Sequence, residues 1–342
     1  MSFRPSLHTQ AFVAGFIALT LLPGIWMIAK APLAGLEANV LSGAAQRQYE
    51  SRFDDSFPLR SSLRQTWAAL KFGLFAEMAE GAVAGANGVL FTSEELMPPK
   101  ASQDFLTALR AAQSPIEAMG AELVPVILPD KIRMMADALP RTRSAQFAER
   151  YDHLLQMIAA EGLRTLDMRP ALSGPNAFMR TDTHWSPEGA RNVAQALSKT
   201  LAGEISNPTP FETRHTGTRS FDGDLLAFAD TGIWRPYVGP APEQINTYET
   251  QSTSSQALGL FDDIKTPVAL VGTSFSARQD FHFTGFLKSS LQAEVLSFAM
   301  EGRGPFTPME RFLSDGQLIT TQPRIVLWEI PERYIDTWST TP

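Results

Sequence analysis

A chain of 342 residues, 44% hydrophobic and 19% charged, has ordinary globular composition and is long enough for one large domain or two smaller ones around a sizeable core. Its net charge of −7 and pI near 5.4, with no basic stripe, argue against a nucleic-acid partner. The absence of cysteine removes disulfides, thiolate metal sites and a cysteine nucleophile, and fits either cytoplasm or periplasm.

Between Arg4 and Lys30 there is no Asp, Glu, Lys or Arg, and residues 11–29 are nearly all apolar. About 20 apolar residues span the hydrocarbon core of a bilayer, so residues 1–31 are expected to be a signal anchor that keeps Arg4 inside and sends the body outward. A cleavable signal peptide is the competing reading, because Ala29 and Ala31 have the spacing of a cleavage site, although Pro32 disfavours cleavage. A buried core helix is the third. The first two readings both export the body of the protein.

Residues 32–80 read as a helical stalk and lead-in: Phe53, Phe57, Leu59, Leu63, Trp67, Leu70, Leu74 and Phe75 recur at helical spacing, interrupted by Pro58. A short strand is expected over 88–91, after the turn-like Gly85-Ala-Asn-Gly88, then an amphipathic helix over 102–119. The continuous apolar run of 123–128 suits a strand buried on both faces. A helix over 143–161, a short strand over 163–167 and a polar loop at 180–185 follow. Ser186-Pro187-Glu188 then opens a helix with an N-cap, a proline in the first turn and an acid. Residues 206–256, rich in Pro, Gly, Ser and Thr, read as a surface excursion within a catalytic domain over 81–342. Strands over 267–271, 294–298 and 324–329, with a helix reaching about 291, complete an α/β fold: a largely parallel sheet flanked by helices, behind an N-terminal membrane helix.

Reactive groups of such sheets gather at the C-terminal ends of the strands. Ser274 lies there, between an apolar strand ending in Gly272 and a following helix, which is the arrangement of a nucleophile elbow. The pattern is G-x-S-x-S rather than G-x-S-x-G, and a serine capping the next helix is the plain alternative. Of five histidines, His184 stands out because Asp182 lies two residues before it on the same polar loop, whereas His282 sits in an aromatic run after the elbow; that spacing lets the carboxylate hold the imidazole while the other nitrogen faces Ser274. An Asp capping a turn beside a solvated His is the plain alternative here. A metal site built from Asp182, His184 and Glu188 is a further one, without a second histidine cluster to support it. No metal or cofactor is expected.

The segment Thr181-Asp-Thr-His-Trp-Ser-Pro-Glu-Gly-Ala190, with Val271-Gly-Thr-Ser-Phe-Ser276 downstream, resembles the alginate O-acetyltransferase family of the AlgX/AlgJ type, SGNH-hydrolase-like proteins of the Gram-negative periplasm. Phe53-Asp-Asp-Ser-Phe-Pro-Leu-Arg60, Pro129-Asp-Lys131, Gly223-Asp-Leu225 and Trp328-Glu-Ile-Pro-Glu-Arg-Tyr334 resemble family landmarks in the same order, so the likeness covers roughly residues 50–335. It implies a circularly permuted SGNH fold with Ser274 as nucleophile, His184 as base and Asp182 as orienting acid. Ser274 N–H would serve as one oxyanion donor, with Gly302 and Arg303 as candidates for the second.

The implied activity is acetyl transfer to an exported polysaccharide, from a donor delivered by a membrane-bound O-acyltransferase, at the periplasmic face of the inner membrane. A carbohydrate acetylesterase with the same residues and a non-catalytic scaffold of an export complex are the alternatives. Val89 stands where the family usually has Trp, a packing change, and the chain ends too soon after its last strand for the carbohydrate-binding module of some relatives.

Overall fold

In the computed structural model, which describes residues 7–30, 40–57, 59–97, 104–139, 144–205, 208–254 and 266–335, the strands are β1 (Ala82–Ala84), β2 (Leu90–Thr92), β3 (Glu122–Leu128), β4 (Phe211–Phe221), β5 (Glu243–Ser252), β6 (Val268–Val271), β7 (Val295–Ser297) and β8 (Ile325–Pro331). The apolar runs that lack polar alternation supply the central sheet, order β3-β8-β6-β7 and parallel throughout. Successive side chains point to opposite faces. Val124, Val126, Val268, Leu270, Ile325 and Leu327 therefore enter one core, while Leu123, Ile127, Ala269, Val271, Val326 and Trp328 enter the other.

Helices Pro187–Thr200 and Phe283–Leu291 cover the first face through Ala190, Val193, Leu197, Phe286 and Leu287. Helices Phe105–Ala118, Ala145–Ala160 and Phe306–Ser314 cover the second through Leu109, Ile116, Leu154, Ile158 and Phe312. Pro125 is tolerated inside β3 because β3 lies at the edge of the sheet, where a missing N–H breaks no ladder. Ser186 caps the Pro187 helix as expected, accepting from the N–H groups of Glu188 and Gly189.

Several expectations need correction. Residues 163–167 are not a strand: their apolar positions, Leu163 and Leu166, are three apart and fall into different cores, a spacing that cannot line one face of a sheet. The segment after β6 is not one helix, because His282, at φ 55°, breaks it between a 3₁₀ turn and helix Phe283–Leu291. The lead-in, expected to be helical with an interruption at Pro58, does form two helices, Ala44–Ser56 and Arg60–Phe75; it ends earlier than residue 80, at Ala76 in a left-handed conformation. Sequence reading also missed β1, three residues of small side chains that pair antiparallel with β2. Inside 206–256, β4 and β5 form a long antiparallel ribbon whose Phe221 and Ile245 reach the main core.

Residues Leu7–Lys30 form one 24-residue helix with Phe12, Leu22, Ile25 and Ile28 exposed. Among the described residues no helix is long and apolar enough to cross a membrane, so the fold does not itself establish the expected spanning segment.

One close approach is testable. A Cβ on Gly189 would lie 2.1 Å from the carbonyl oxygen of Ala177, at the base of the loop that carries Asp182 and His184. In an open helix Gly→Ala gains about 1 kcal/mol. Gly189→Ala should instead cost about 1–3 kcal/mol in urea unfolding, as overpacking does; a stabilised variant would contradict the contact.

Candidate active site

Gly272 ends β6 against β8 so closely that a Cβ there would lie 2.5 Å from Oε2 of Glu329. The buried Glu329 carboxylate accepts from the backbone N–H of Thr273 at 2.7 Å and from the hydroxyls of Thr273 and Ser276 at 3.0 Å. These bonds turn Ser276 inward. They leave Ser274, half-buried at the start of helix Ser274–Ala277, to face the loop opposite.

That loop is the tip of a reversal closed by the antiparallel bridge of Phe178 with Trp185. It is held from three directions. Glu243, the first residue of β5, accepts from the N–H groups of Arg180 and Thr181 at 2.8 and 2.7 Å. The buried ammonium of Lys131, just beyond β3, donates to the carbonyls of Leu90, Arg180 and Asp182 at 2.6, 3.0 and 2.9 Å. Asp224 accepts from the N–H of Thr183 at 2.8 Å, and its own N–H donates to Asp182 Oδ2 at 2.9 Å. Gly223 permits that approach, since a Cβ there would lie 2.1 Å from the carbonyl oxygen of Thr181.

The result is a continuous polar chain. Asp182 Oδ1 lies 2.6 Å from His184 Nδ1, and His184 Nε2 lies 2.7 Å from Ser274 Oγ. An ionised carboxylate can only accept, so Nδ1 carries the proton and Nε2 presents its lone pair to the hydroxyl. The imidazole packs between the rings of Phe275 and Phe281, at 4.6 and 5.3 Å between centroids. Burial disfavours the Asp182 charge, but the imidazole of His184 and the N–H groups of Asp224 and His184 outweigh it and hold the carboxyl below its usual range. Asp224 is shifted upward instead, by burial and by the neighbouring charge of Asp182.

The metal alternative changes membership. Glu188 is exposed in the first helical turn, and among the described residues the three groups whose ligand atoms lie within 4.8 Å of one another are Asp182, His184 and Asp224. Both ring nitrogens of His184 are already engaged, by Asp182 and Ser274. Next to the polar chain opens a cleft of about 820 Å³ whose lining includes Thr183, Asp224, Phe228, Arg303, Arg333 and Tyr334. Arg303 therefore faces the cleft, while Gly302 sits in an exposed turn at φ 67°. The loop bearing both is tied to the elbow through Met300 N–H and the carbonyl of Gly272, 3.0 Å apart.

Sequence reading assigned no role to Lys131, Asp224, Glu243 or Glu329. Glu329 had a signal, a lone acid inside an apolar strand, as did Lys131 directly after one; Glu243, in a polar stretch, had none.

Residues 82–332 match the family described as "SGNH hydrolase-like domain, acetyltransferase AlgX". The chain belongs to the AlgX/AlgJ family. It is 33% identical over 347 residues to "Probable alginate O-acetylase AlgJ" of Pseudomonas aeruginosa, covering 95% of this chain and 89% of that one, and 31% identical over 341 residues to the protein of that name from Pseudomonas syringae pv. tomato, covering 95% and 87%. The solved O-acetyltransferase domain of Pseudomonas putida AlgJ superposes with a TM-score of 0.66 at 28% identity, over 78% of this chain and 96% of that one. Pseudomonas aeruginosa AlgX shares the fold, with a TM-score of 0.58 at 23% identity over 74% of this chain and 62% of that one. The span matched to the AlgX/AlgJ family contains Lys131, Asp182, His184, Asp224, Ser274 and Glu329.

Glu329 gives a pH test. Burial pushes its carboxyl from 4.5 to about 7, despite the bonds from Thr273 and Ser276. A folded-state value above the unfolded one means that the stabilising form is the protonated one: its contribution is complete below pH 4.5 and is lost as pH rises through 7. Glu329→Gln keeps the shape and cannot ionise. Relative to wild type it should gain about 3 kcal/mol in stability between pH 4.5 and pH 8. Urea midpoints at the two pH values check this; an unchanged difference would show that Glu329 does not titrate there.

Proposed function

We propose that this protein transfers acetyl groups to hydroxyls of an exported, alginate-like polysaccharide in the periplasm, through an acyl-Ser274 intermediate. The observation that carries the reading is the unbroken chain Asp182–His184–Ser274 beside the 820 Å³ cleft. Two relatives named as alginate O-acetylases and a neighbour described as an O-acetyltransferase domain support the acetyl group and the polymer.

In the first half-reaction, His184 Nε2 takes the Ser274 proton as Oγ attacks the acetyl carbonyl of the donor. The donor's leaving group departs with that proton, and the acetyl stays on Oγ. In the second, a sugar hydroxyl gives its proton to Nε2 while its oxygen attacks the acyl carbon, and Ser274 leaves with the proton returned. Asp182 holds the Nδ1 tautomer and stabilises the imidazolium that forms in each half. Backbone N–H of Ser274 is the first oxyanion donor in this scheme; Gly302 and Arg303, on the loop tied to the elbow, are the candidates for the second.

The anchor belongs to the same proposal. Its support is the sequence: residues 11–29 are nearly all apolar and no charge falls between Arg4 and Lys30, the pattern of an inner-membrane anchor, beside an O-acyltransferase that delivers the donor. Removal of the helix as a signal peptide would leave the same body in the periplasm.

Ser274→Ala removes only a hydroxyl, so stability should change little while acetyl transfer falls by several orders of magnitude. His184→Ala should cost a similar factor, and the double variant hardly more, because each change alone disables the unit. Asp182→Asn should also be severe. Rates on an acetyl-ester donor with oligouronates check this; a folded Ser274→Ala protein with near-normal transfer would remove Ser274 from the chemistry. In the same assay, mass spectrometry of the sugar separates the activities: acetylated sugar is expected, donor hydrolysis alone identifies an esterase, and no turnover of the donor fits a scaffold.

A further inference from the structure

Helix Arg60–Phe75 has two faces, and among the described residues only one is packed against the body of the protein. Thr66 Oγ1 accepts from Trp234 Nε1 at 2.9 Å, Ala69 is buried, and Phe72 packs on the cluster of Ala82, Leu90 and Leu225. A Cβ on Gly73 would lie 2.9 Å from the Val238 side chain. On the other side Leu63, Trp67, Leu70 and Leu74, spaced four, three and four apart, are 56, 62, 49 and 70% exposed. Next to the helix, the segment that it packs against adds Ile233 and Tyr237, 71 and 83% exposed. Two elements that pack together thus each expose large apolar side chains, and exposed apolar surface of this sort marks a partner or a membrane.

We propose that this surface lies in the headgroup region of the bilayer that holds the Leu7–Lys30 helix. The inference rests on the anchor reading above. Its first support is the tether: 29 residues separate Lys30 from Arg60, 13 of them in helix Ala44–Ser56. Even fully extended, that connection keeps the face within roughly 75 Å of the bilayer. A tether of this length raises the effective concentration enough for a weak partition to hold.

The second support is composition. Helix Arg60–Phe75 carries Arg60, Arg64 and Lys71 and no acid, with Trp, Leu and Phe between them, which is the pattern of a helix lying in a membrane interface. The carboxylates that meet these cations, Asp55, Asp230 and Glu77, lie outside the helix. Docking in this way places the site for acyl transfer at the membrane: Glu80 and Gly81, a few residues past the helix, line the cleft together with Asp224. A donor arriving from the membrane would then have a short path to Ser274.

The chain has no cysteine, so single labels are clean. Full-length Leu70→Cys and Leu74→Cys, each carrying an environment-sensitive fluorophore, are reconstituted in vesicles of phosphatidylcholine and phosphatidylglycerol, with Thr216→Cys on the exposed ribbon as control. Nitroxide on the lipid chains should quench labels at 70 and 74 several-fold more than at 216, unchanged as the lipid-to-protein ratio rises. Flotation of the vesicles tests the anchor separately. Protein that floats with labels at 70 and 74 quenched no more than at 216 overturns the docking face alone, and assigns the surface to a protein partner. Protection that fades as protein is diluted overturns it in favour of a second copy. Protein that does not float overturns the anchor and the docking face together.

Discussion

A carboxylate with no exposed surface has to be kept charged, and the site is organised around meeting that requirement at Asp182. Its two oxygens accept from the imidazole of His184, from the N–H groups of His184 and Asp224, and at longer range from Arg278. None of these donors is in place unless the loop has its particular shape. The loop has no regular ladder to give it one, so its shape comes from Lys131, Glu243 and Asp224, which bind its backbone from three separate parts of the chain. On the proposed chemistry, orientation of the base follows from these backbone contacts as much as from the Asp182 side chain.

A second layer of buried charge supports the first. Beyond the C-terminal ends of β3 and β8, Asp130 and Glu332 meet Arg150, and Glu332 also meets Arg133. Burial, helped by the charges of Glu332 and Glu95, still drives the Asp130 carboxyl well above its ordinary range. Pairs of this kind contribute little net stability but are costly to break, which suits them to fixing one geometry. Here they fix the ends of the two strands that carry Lys131 and Glu329, and through those residues the loop and the elbow. Lys131 bears the cost openly: burial lowers its ammonium to about 8 although Glu95 and Asp182 oppose the shift.

What was legible in the sequence followed from short-range patterns. An apolar strand running into Gly272-Thr-Ser274, and an Asp two residues before a His, each encode local geometry, and the fold brings the two within hydrogen-bond distance across 90 residues. The strands buried on both faces were legible for the same reason, since 123–128 and 267–271 lack polar alternation. The ribbon β4–β5 was not, because its residues are mostly exposed and polar, and its strand character comes from pairing with each other. Lys131 and Glu329 stand out locally as single charges beside or within apolar strands, but their partners, like those of Glu243, lie 40 or more residues away, which no local pattern reports.

The central claim is that acetyl passes through Ser274 Oγ, and trapping that intermediate tests it most directly. Rapid acid quenching of the enzyme with an acetyl-ester donor and no acceptor, followed by peptide mass spectrometry, should find one acetyl group on the peptide containing Ser274. The label should disappear when an oligouronate is added and reappear on the sugar. Acetylated sugar formed at the full rate with no acetyl ever found on Ser274 would contradict the account.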